Sequence, residues 1–193
     1  LEAAASLAQD DYPDLDVQQV LGDVDQLLAR LKRRLADDAA PLQRLRTLNQ
    51  FFFRDLGFSG NVNNFYDPEN SYLNSVLRTR KGIPISLAVL WIELAQGVGL
   101  NARGINFPGH FMVKVNLPKG QVVIDPFTGQ SLSREELSER LEPFQRRGRD
   151  AGAQGLLRLD VFRDFTQQGV VHVGQFPGAG GDARFKFVLR LTE

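Results

Sequence analysis

The chain has 193 residues, of which 42% are apolar and 24% are charged, and this balance predicts an ordinary globular domain with one substantial core. Its 23 lysines and arginines balance its 23 aspartates and glutamates, and no apolar run approaches the roughly 20 residues of a membrane span, so neither nucleic acid nor a membrane is an expected partner. Because the sequence contains no cysteine, disulfides, thiolate metal sites and thiol catalysis are excluded.

Residues 1–60 predict a layer of helices. Tyr12-Pro13-Asp14 ends a short first helix, and Asp16 is a suitable N-cap for the second. In the second helix apolar residues recur every three or four positions, at Val20, Leu21, Val24, Leu27, Leu28, Leu31 and Leu35. This stripe fits packing on the domain's own core, and a self-association face is the alternative. A third helix begins at Pro41 and ends before Gly57.

A loop rich in glycine and asparagine follows, over residues 57–66. Such residues tolerate left-handed backbone and bond their own main chain. A short amphipathic helix over 73–77 leads to three cations, Arg78, Arg80 and Lys81. They are candidates for binding an anionic ligand, and a solvated surface is the alternative.

The next stretch, Pro84–Ala95, is apolar nearly all round. A helix without a polar face is a buried helix, and proline suits its first position because its missing N–H would have had no partner there. Ser86 therefore lies in the first turn, where free backbone N–H groups and the positive end of the helix dipole favour an anionic group. Gly97 and Gly99 end the helix.

A β-hairpin follows the central helix. Pro108-Gly109 forms a turn, His110 opens one strand, and Asp125 ends the next. If Asn116 pairs with Gln121, the antiparallel register places the histidine and the aspartate on one face, where their side chains can meet. That is the geometry of a general base and the carboxylate that orients it. Ordinary polar chemistry at a strand edge is the alternative.

The C-terminal part begins with a capping box. Ser133 and Glu136 predict the start of a helix that runs to Leu141. The arginine- and glycine-rich segment 145–155 predicts a linker or mobile loop. Beyond it the sequence predicts an ambiguous segment, a strand, a turn and a second strand, over 156–165, 170–173, 176–182 and 185–191.

These elements predict one domain in three parts: a helical layer over 1–60, a core over 61–142, and a linker with a strand-rich tail over 143–193. The start of the chain has no signal-peptide pattern, which predicts a cytoplasmic protein. Two histidines, His110 and His172, are too few for a histidine-built metal site, and no cofactor is expected.

Three segments carry motifs that are highly specific in combination. They are YDPENSYLNSVL and RKGIPISLA within 61–88, FPGHF at 107–111 and IDPF at 124–127. In these segments the chain resembles the SirB-like branch of the transglutaminase-like superfamily, over roughly residues 20–141. The resemblance implies an α+β fold of the papain-like type, in which N-terminal helices and a central buried helix pack against an antiparallel sheet.

The resemblance also implies a Cys-His-Asp site. His110 takes the histidine position and Asp125 the aspartate position, whereas Pro84 stands where the nucleophilic cysteine would be. Ser86 is the nearest hydroxyl, but two residues along a helix amount to a rotation of roughly 200°. It is the candidate replacement nucleophile, and an ordinary first-turn residue is the alternative.

Several further residues are candidates for ligand binding. In the resembling family the asparagine-rich loop and the residues after it lie beside the cleft. The candidate binding residues are Asn61, Asn64, Asn70, Ser71, Tyr72 and Arg80. A turn followed by an N-cap explains the asparagines equally well.

Three functions of different classes are compatible with the sequence. The first is a transglutaminase-like domain without its thiol nucleophile, acting as a non-catalytic binding or regulatory module with a protein or peptide partner in the cleft. The second is a hydrolase or acyltransferase that uses Ser86, His110 and Asp125, with the N–H groups at the helix start as the oxyanion hole. The third is a structural protein that self-associates through the apolar stripe of the second helix. The oligomeric state is open.

Overall fold

Helices form most of the first hundred residues, and an antiparallel sheet follows them. The computed structural model describes residues 1–150, 170–172 and 188–190, with side chains described through residue 144. The α-helices are α1 (Glu2–Ser6), α2 (Val17–Lys32), α3 (Pro41–Asn49), α4 (Leu73–Thr79), α5 (Pro84–Gly97) and α6 (Arg134–Asp150). Shorter helical turns are the 3₁₀ turns Leu7–Asp10 and Pro68–Ser71 and the π-helical turn Gln50–Asp55.

The strands of the described residues form one four-stranded sheet and two two-stranded sheets. They are β1 (Ser59–Gly60), β2 (Lys81–Gly82), β3 (Asn101–Phe107), β4 (His110–Leu117), β5 (Gly120–Ile124), β6 (Ser131–Leu132), β7 (Val170–His172) and β8 (Val188–Arg190). Strands β3, β4, β5 and β6 make one antiparallel sheet in that order, β1 pairs with β2 in parallel, and β7 pairs with β8 in antiparallel fashion. The predicted α+β class is confirmed.

The apolar stripe of helix α2 packs inside the domain. Asp16 caps the helix as predicted, because its carboxylate accepts the N–H groups of Gln18 at 2.9 Å and Gln19 at 3.3 Å. The stripe residues Val20, Val24, Leu27 and Leu31 are buried in the main core, with Leu21, Leu28 and Leu35 packed against it. The stripe is therefore occupied by the domain's own core, and the alternative of an exposed self-association seam is wrong for this helix face.

Helix α5 is the buried centre that its composition predicts. Pro84 occupies its first turn, and the helix ends at Gly97, after which Gly99 takes a left-handed φ of +77°. Leu87, Ala88, Leu90, Trp91 and Leu94 are buried in one core with Val113, Val115 and Ile124 of the sheet. The helix thus packs on one face of the four-stranded sheet.

The predicted hairpin register is confirmed. Asn116 pairs with Gln121, and Phe107 pairs with His110 around a turn in which Gly109 has a φ of +73°. The face of the sheet turned away from α5 has its own core, formed with α6: Ile105, Phe107, Met112, Val123, Leu132, Leu137 and Leu141. Because side chains alternate along a strand, this register places the position-110 side chain on the same face as that second core.

The end of α6 corrects one prediction. The capping box is confirmed, since Glu136 accepts the Ser133 N–H at 2.7 Å and Ser133 accepts the Glu136 N–H at 3.1 Å. The helix nevertheless continues to Asp150, so the predicted linker is wrong for 145–150. Arginine is a good helix former and favours the C-terminal end of the helix dipole, which outweighs the glycine there.

The tail is described only in part. The predicted strands are confirmed at 170–172 and 188–190, which pair with each other. The predictions for 151–169 and 173–187 lie outside the described residues. Within the described residues, no helix combines the length and the apolar character needed to cross a membrane.

Candidate functional site

His110 and Asp125 meet as the hairpin register predicts. The Nε2 atom of His110 lies 2.8 Å from Oδ1 of Asp125. His110 opens β4, and Asp125 directly follows the end of β5, so two adjacent strands present the two side chains. Asp125 is 3% exposed, whereas the His110 side chain is 23% exposed. The imidazole is therefore the member of the pair that a ligand can reach.

Several groups hold the Asp125 carboxylate. Its Oδ1 also accepts the backbone N–H of Phe127 at 2.9 Å, and Nη1 of Arg140 in α6 lies 3.5 Å from Oδ2. The backbone on either side closes a turn, because the Asp125 N–H donates to the carbonyl of Gln130 at 2.9 Å and the Gly129 N–H donates to the carbonyl of Asp125 at 2.8 Å. The carboxylate is fixed in position by this turn.

The electrostatics of the pair determine its protonation. Burial raises the pKa of Asp125, but the hydrogen bond and charge of His110 and the N–H of Phe127 lower it by more, so the pKa lies below its ordinary value. The carboxylate is ionised at neutral pH, so its Oδ1 atom is the acceptor and the Nε2–H of the histidine is the donor of the hydrogen bond. In the neutral imidazole the Nδ1 atom then carries a lone pair, so it is a hydrogen-bond acceptor or a base.

An aromatic side chain forms a wall of this site. The ring of Phe127 lies at 80° to the His110 ring, with 6.5 Å between centroids. Gly60 of β1 packs against that ring, because a Cβ there would lie 2.2 Å from it, and the Gly60 N–H donates to the carbonyl of Phe127 at 2.9 Å. Phe144 of α6 covers Gly109, the residue before the histidine.

Ser86 and His110 are not hydrogen-bonded to each other. The Ser86 hydroxyl is buried and donates to the carbonyl of Asn70 at 2.6 Å, while it accepts the N–H of Ile83 at 3.2 Å. Gly82 leaves it room, since a Cβ at that glycine would lie 2.7 Å from the hydroxyl oxygen. The hydroxyl therefore makes its hydrogen bonds at the start of α5. This is the role of an ordinary first-turn residue, not that of a nucleophile paired with His110.

The asparagines of the loop bond to one another. The Asn70 amide donates to the carbonyls of Asn64 at 2.7 Å and Phe65 at 3.2 Å, and its oxygen accepts from the Asn61 amide at 2.9 Å. The Asn64 amide donates to Asp67 at 2.8 Å. All polar atoms of the buried Asn70 side chain are therefore satisfied within the protein, and these residues hold the loop in shape.

The other candidate binding residues have separate surroundings. Ser71 is buried. The Tyr72 hydroxyl donates to Asp11, and this hydrogen bond, together with burial, raises the pKa of Tyr72 to about 12. Arg80 follows α4 with its guanidinium carbon 4.7 Å from the centre of the Phe58 ring. These contacts place none of the three in a hydrogen bond with the His110 and Asp125 pair in the described part of the chain.

Sequence reasoning missed an exposed apolar lip, which consists of Val62, Phe65 and Tyr66. They are 76%, 42% and 76% exposed. Phe65 contacts Tyr66 at 5.4 Å and Phe127 at 5.8 Å between ring centroids. The available signal was the presence of apolar side chains inside a polar loop. No group of three or more histidine and carboxylate side chains within the described residues is placed to hold a metal ion.

Comparisons with known proteins agree with the motifs. A sequence profile described as transglutaminase-like superfamily matches residues 18–160. The chain is 40% identical over 144 residues to a UPF0162 protein of Xylella fastidiosa strain 9a5c, which covers 74% of this chain and 51% of the relative. A UPF0162 protein of Pseudomonas aeruginosa is 31% identical over 140 residues, covering 72% and 51%.

A eukaryotic protein shares a shorter segment. F-box only protein 21 of Mus musculus is 36% identical over 72 residues, which are 37% of this chain and 12% of that protein. No solved structure matches the chain. The chain spans about half the length of the bacterial relatives named above. By its profile match and its relatives, the chain belongs to the transglutaminase-like superfamily, with UPF0162 proteins of the SirB-like family as relatives and with no cysteine to serve as nucleophile.

Proposed function

We propose that this domain is a non-catalytic binding module that receives a peptide or protein segment beside His110. The observation that carries the proposal is the combination of an ordered His110 and Asp125 pair with the absence of any nucleophile hydrogen-bonded to it in the described residues. The chain has no thiol, and the Ser86 hydroxyl donates its hydrogen bond to the Asn70 carbonyl. With Nε2–H donating to Asp125, the Nδ1 atom of the neutral ring would accept a hydrogen bond from a ligand, which needs no covalent intermediate.

The apolar lip supplies the second part of the binding surface. Ring contacts run from exposed Tyr66 through Phe65 and Phe127 to the His110 ring. An apolar ligand side chain would cover the exposed rings, while a ligand N–H would donate to Nδ1. Aromatic anchors beside a few directional polar groups are typical of protein recognition sites.

The comparisons support a modular role. The segment shared with F-box only protein 21 is 12% of that protein, so a similar sequence occurs as a small part of a longer chain. This chain itself covers about half of its bacterial relatives. A domain that recurs inside longer proteins is suited to be the part of each protein that binds a partner.

A peptide selection tests this function. Random peptides displayed on phage are selected on the immobilised chain, and the affinity of each enriched peptide is measured for the wild type and for Phe65→Ser, Tyr66→Ser and His110→Ala. The matched control is Leu42→Ser, because Leu42 is an exposed apolar residue of α3 with 45% exposure, close to the 42% of Phe65. We expect each lip or histidine substitution to weaken binding by about tenfold or more, or about 1.4 kcal/mol, and the control to leave it unchanged.

Two outcomes would overturn the proposal. One is that no peptide is enriched, or that enriched peptides bind the lip variants as tightly as the wild type. The other is turnover of activated esters or amides that disappears in His110→Ala, since this would make the domain an enzyme. In that case Ser86→Ala separates a serine hydrolase from histidine-assisted attack by water, because only the serine mechanism needs the hydroxyl.

A further inference from the structure

A second site is indicated on the face of the four-stranded sheet that packs against α6. One row of directly paired residues crosses this face from β3 to β6: Arg103, Lys114, Val123 and Leu132. Because directly paired residues on neighbouring strands point to the same side of a sheet, all four side chains lie on the α6 face. Val123 and Leu132 are buried in the second core, whereas Arg103 is exposed and Lys114 is partly exposed. The row therefore changes from cationic to apolar along its length.

A cavity of about 330 Å³ lies at the apolar end of this row. Its wall is formed by Val123 and Leu132 of the sheet and by Leu137 of α6. The other two lining residues, Gln121 and Arg134, are exposed, so they stand at its mouth. Sites for small molecules are typically apolar pockets of about 300–1,000 Å³ with a few directional polar groups. The volume is at the lower end of that range, which favours a small molecule over a protein segment as the occupant.

The ionisable side chains of the lining and of the row are all cations. Arg134 lines the cavity, Lys114 is the direct cross-strand neighbour of Val123, and Arg103 is the neighbour of Lys114 on the other side. Within residues 1–144 none of these three side chains forms a salt bridge. Like charges directly opposite each other on neighbouring strands, as Arg103 and Lys114 are, destabilise a sheet. An anion at this end of the cavity would offset that repulsion.

We propose that this cavity binds an aliphatic carboxylate. The hydrocarbon chain would lie against Val123, Leu132 and Leu137, where burial of apolar surface is favourable. The carboxylate would lie at the mouth, where the Arg134 guanidinium can donate two parallel hydrogen bonds to it and Lys114 adds a second positive charge. This inference concerns different residues from the peptide site beside His110, and each can fail without the other.

Methyl NMR with ligands that differ in one property tests the site. The methyl resonances of Val123, Leu132 and Leu137 are followed in the full chain during titration with sodium octanoate, 1-octanol or sodium acetate. Ionic strength is matched, and octanoate is kept below the concentration at which it forms micelles. We expect saturable shifts with octanoate and binding about tenfold or more weaker with octanol, which lacks the charge. Acetate, which lacks the chain, should give no saturable shift.

Three variants connect binding to the cavity. Arg134→Gln and Lys114→Gln should each weaken octanoate binding by about fivefold, while their affinity for octanol stays that of the wild type. Gln121→Phe places a ring at the mouth and should abolish binding of both ligands. This variant is expected to fold, because Gln121 is exposed and phenylalanine is favourable in strands. Arg46→Gln, at an exposed position of α3, is the matched control for the loss of one positive charge.

Clear results would overturn the inference. It is wrong if octanol binds as tightly as octanoate, if acetate produces the same saturable shifts, or if octanoate shifts none of the three residues. It is also wrong if folded Gln121→Phe retains the wild-type affinity, or if Arg46→Gln weakens binding as much as Arg134→Gln does. Tighter binding of N-acetylleucylleucine than of octanoate would assign the cavity to the end of a peptide chain and would overturn it as well.

Discussion

The His110 ring and the Asp125 carboxylate are joined at 2.8 Å across the β4–β5 hairpin, although they are 15 residues apart in the chain. The carboxylate is buried, and the imidazole is partly exposed. The hairpin thus places the ionised carboxylate of Asp125 inside the protein. The His110 ring, which this carboxylate orients, lies at the surface. The pair has consequences for stability as well as for binding.

Asp125→Asn should change the pH dependence of stability. The pKa of Asp125 in the folded protein lies below its ordinary value of 3.8, so the unfolded chain takes up this proton first as the pH falls. The stabilisation is therefore present above the unfolded pKa and is lost as the pH falls through the folded value. We expect the wild type to be more stable than the variant by about 1–3 kcal/mol near neutral pH, with the gap narrowing below about pH 4.

Urea unfolding at a series of pH values measures that gap. Equal slopes of the unfolding transitions show that the two proteins unfold to a similar extent, which the comparison requires. A gap that stays constant down to about pH 3 would mean that the carboxylate does not contribute through its ionisation.

Gly60→Ala should destabilise the wall of the site. A Cβ at Gly60 would lie 2.2 Å from the Phe127 ring, so the ring or the strand must move. We expect a loss of about 1–3 kcal/mol in the free energy of unfolding. Gly22→Ala is the matched control with the opposite sign, because nothing lies within 4 Å of a Cβ there and alanine favours the α2 helix by up to about 1 kcal/mol. Equal effects of the two substitutions in denaturant unfolding would contradict the packing at Gly60.

Ser86→Ala should cost stability by removing a buried hydrogen bond. The Asn70 carbonyl would lose the hydroxyl donor at 2.6 Å and retain only the N–H of Ile83 at 3.3 Å. We expect a loss of about 1–3 kcal/mol by denaturant unfolding. Ser138→Ala removes an exposed hydroxyl that donates to the Arg134 carbonyl, and it should change stability by less than about 0.5 kcal/mol. A neutral Ser86→Ala would indicate that the hydroxyl does not tie the loop to α5.

Arg80→Gly and Arg80→Ala together isolate the backbone strain after α4. Both variants lose the guanidinium group, but only glycine takes a φ of +61° without strain. The glycine variant should therefore be more stable than the alanine variant by about 1 kcal/mol. Thermal unfolding is the measurement, and an alanine variant of equal or greater stability would show that Arg80 is not strained.

Local signals account for what the sequence could predict. The register that brings His110 to Asp125 follows from the Pro108-Gly109 turn and the two-residue period of strands, both of which are readable over a few residues. The Asp16 cap and the Ser133 capping box are equally local. Each of these predictions rests on neighbours in the chain.

The missed features depend on distant residues. The parallel pairing of Ser59 with Lys81 and the bond from Ser86 to the Asn70 carbonyl join segments whose contact has no local signature. The same is true of the Phe65 contact with Phe127, which links the lip to the site. Sequence patterns indicated that Ser86 lies in the first turn of a helix, but its partner is determined by how the preceding loop folds back.

The hydrogen bonds of that loop affect how a partner would bind. Ser86 ties Asn70 to the start of α5, and the Asn61 N–H donates to the Gly82 carbonyl of β2 at 3.0 Å. The lip is therefore anchored on both sides before any partner arrives. The hydrogen bonds on either side reduce the backbone entropy that the lip would lose on association, so affinity should depend more on the fit of the partner's side chains to this surface.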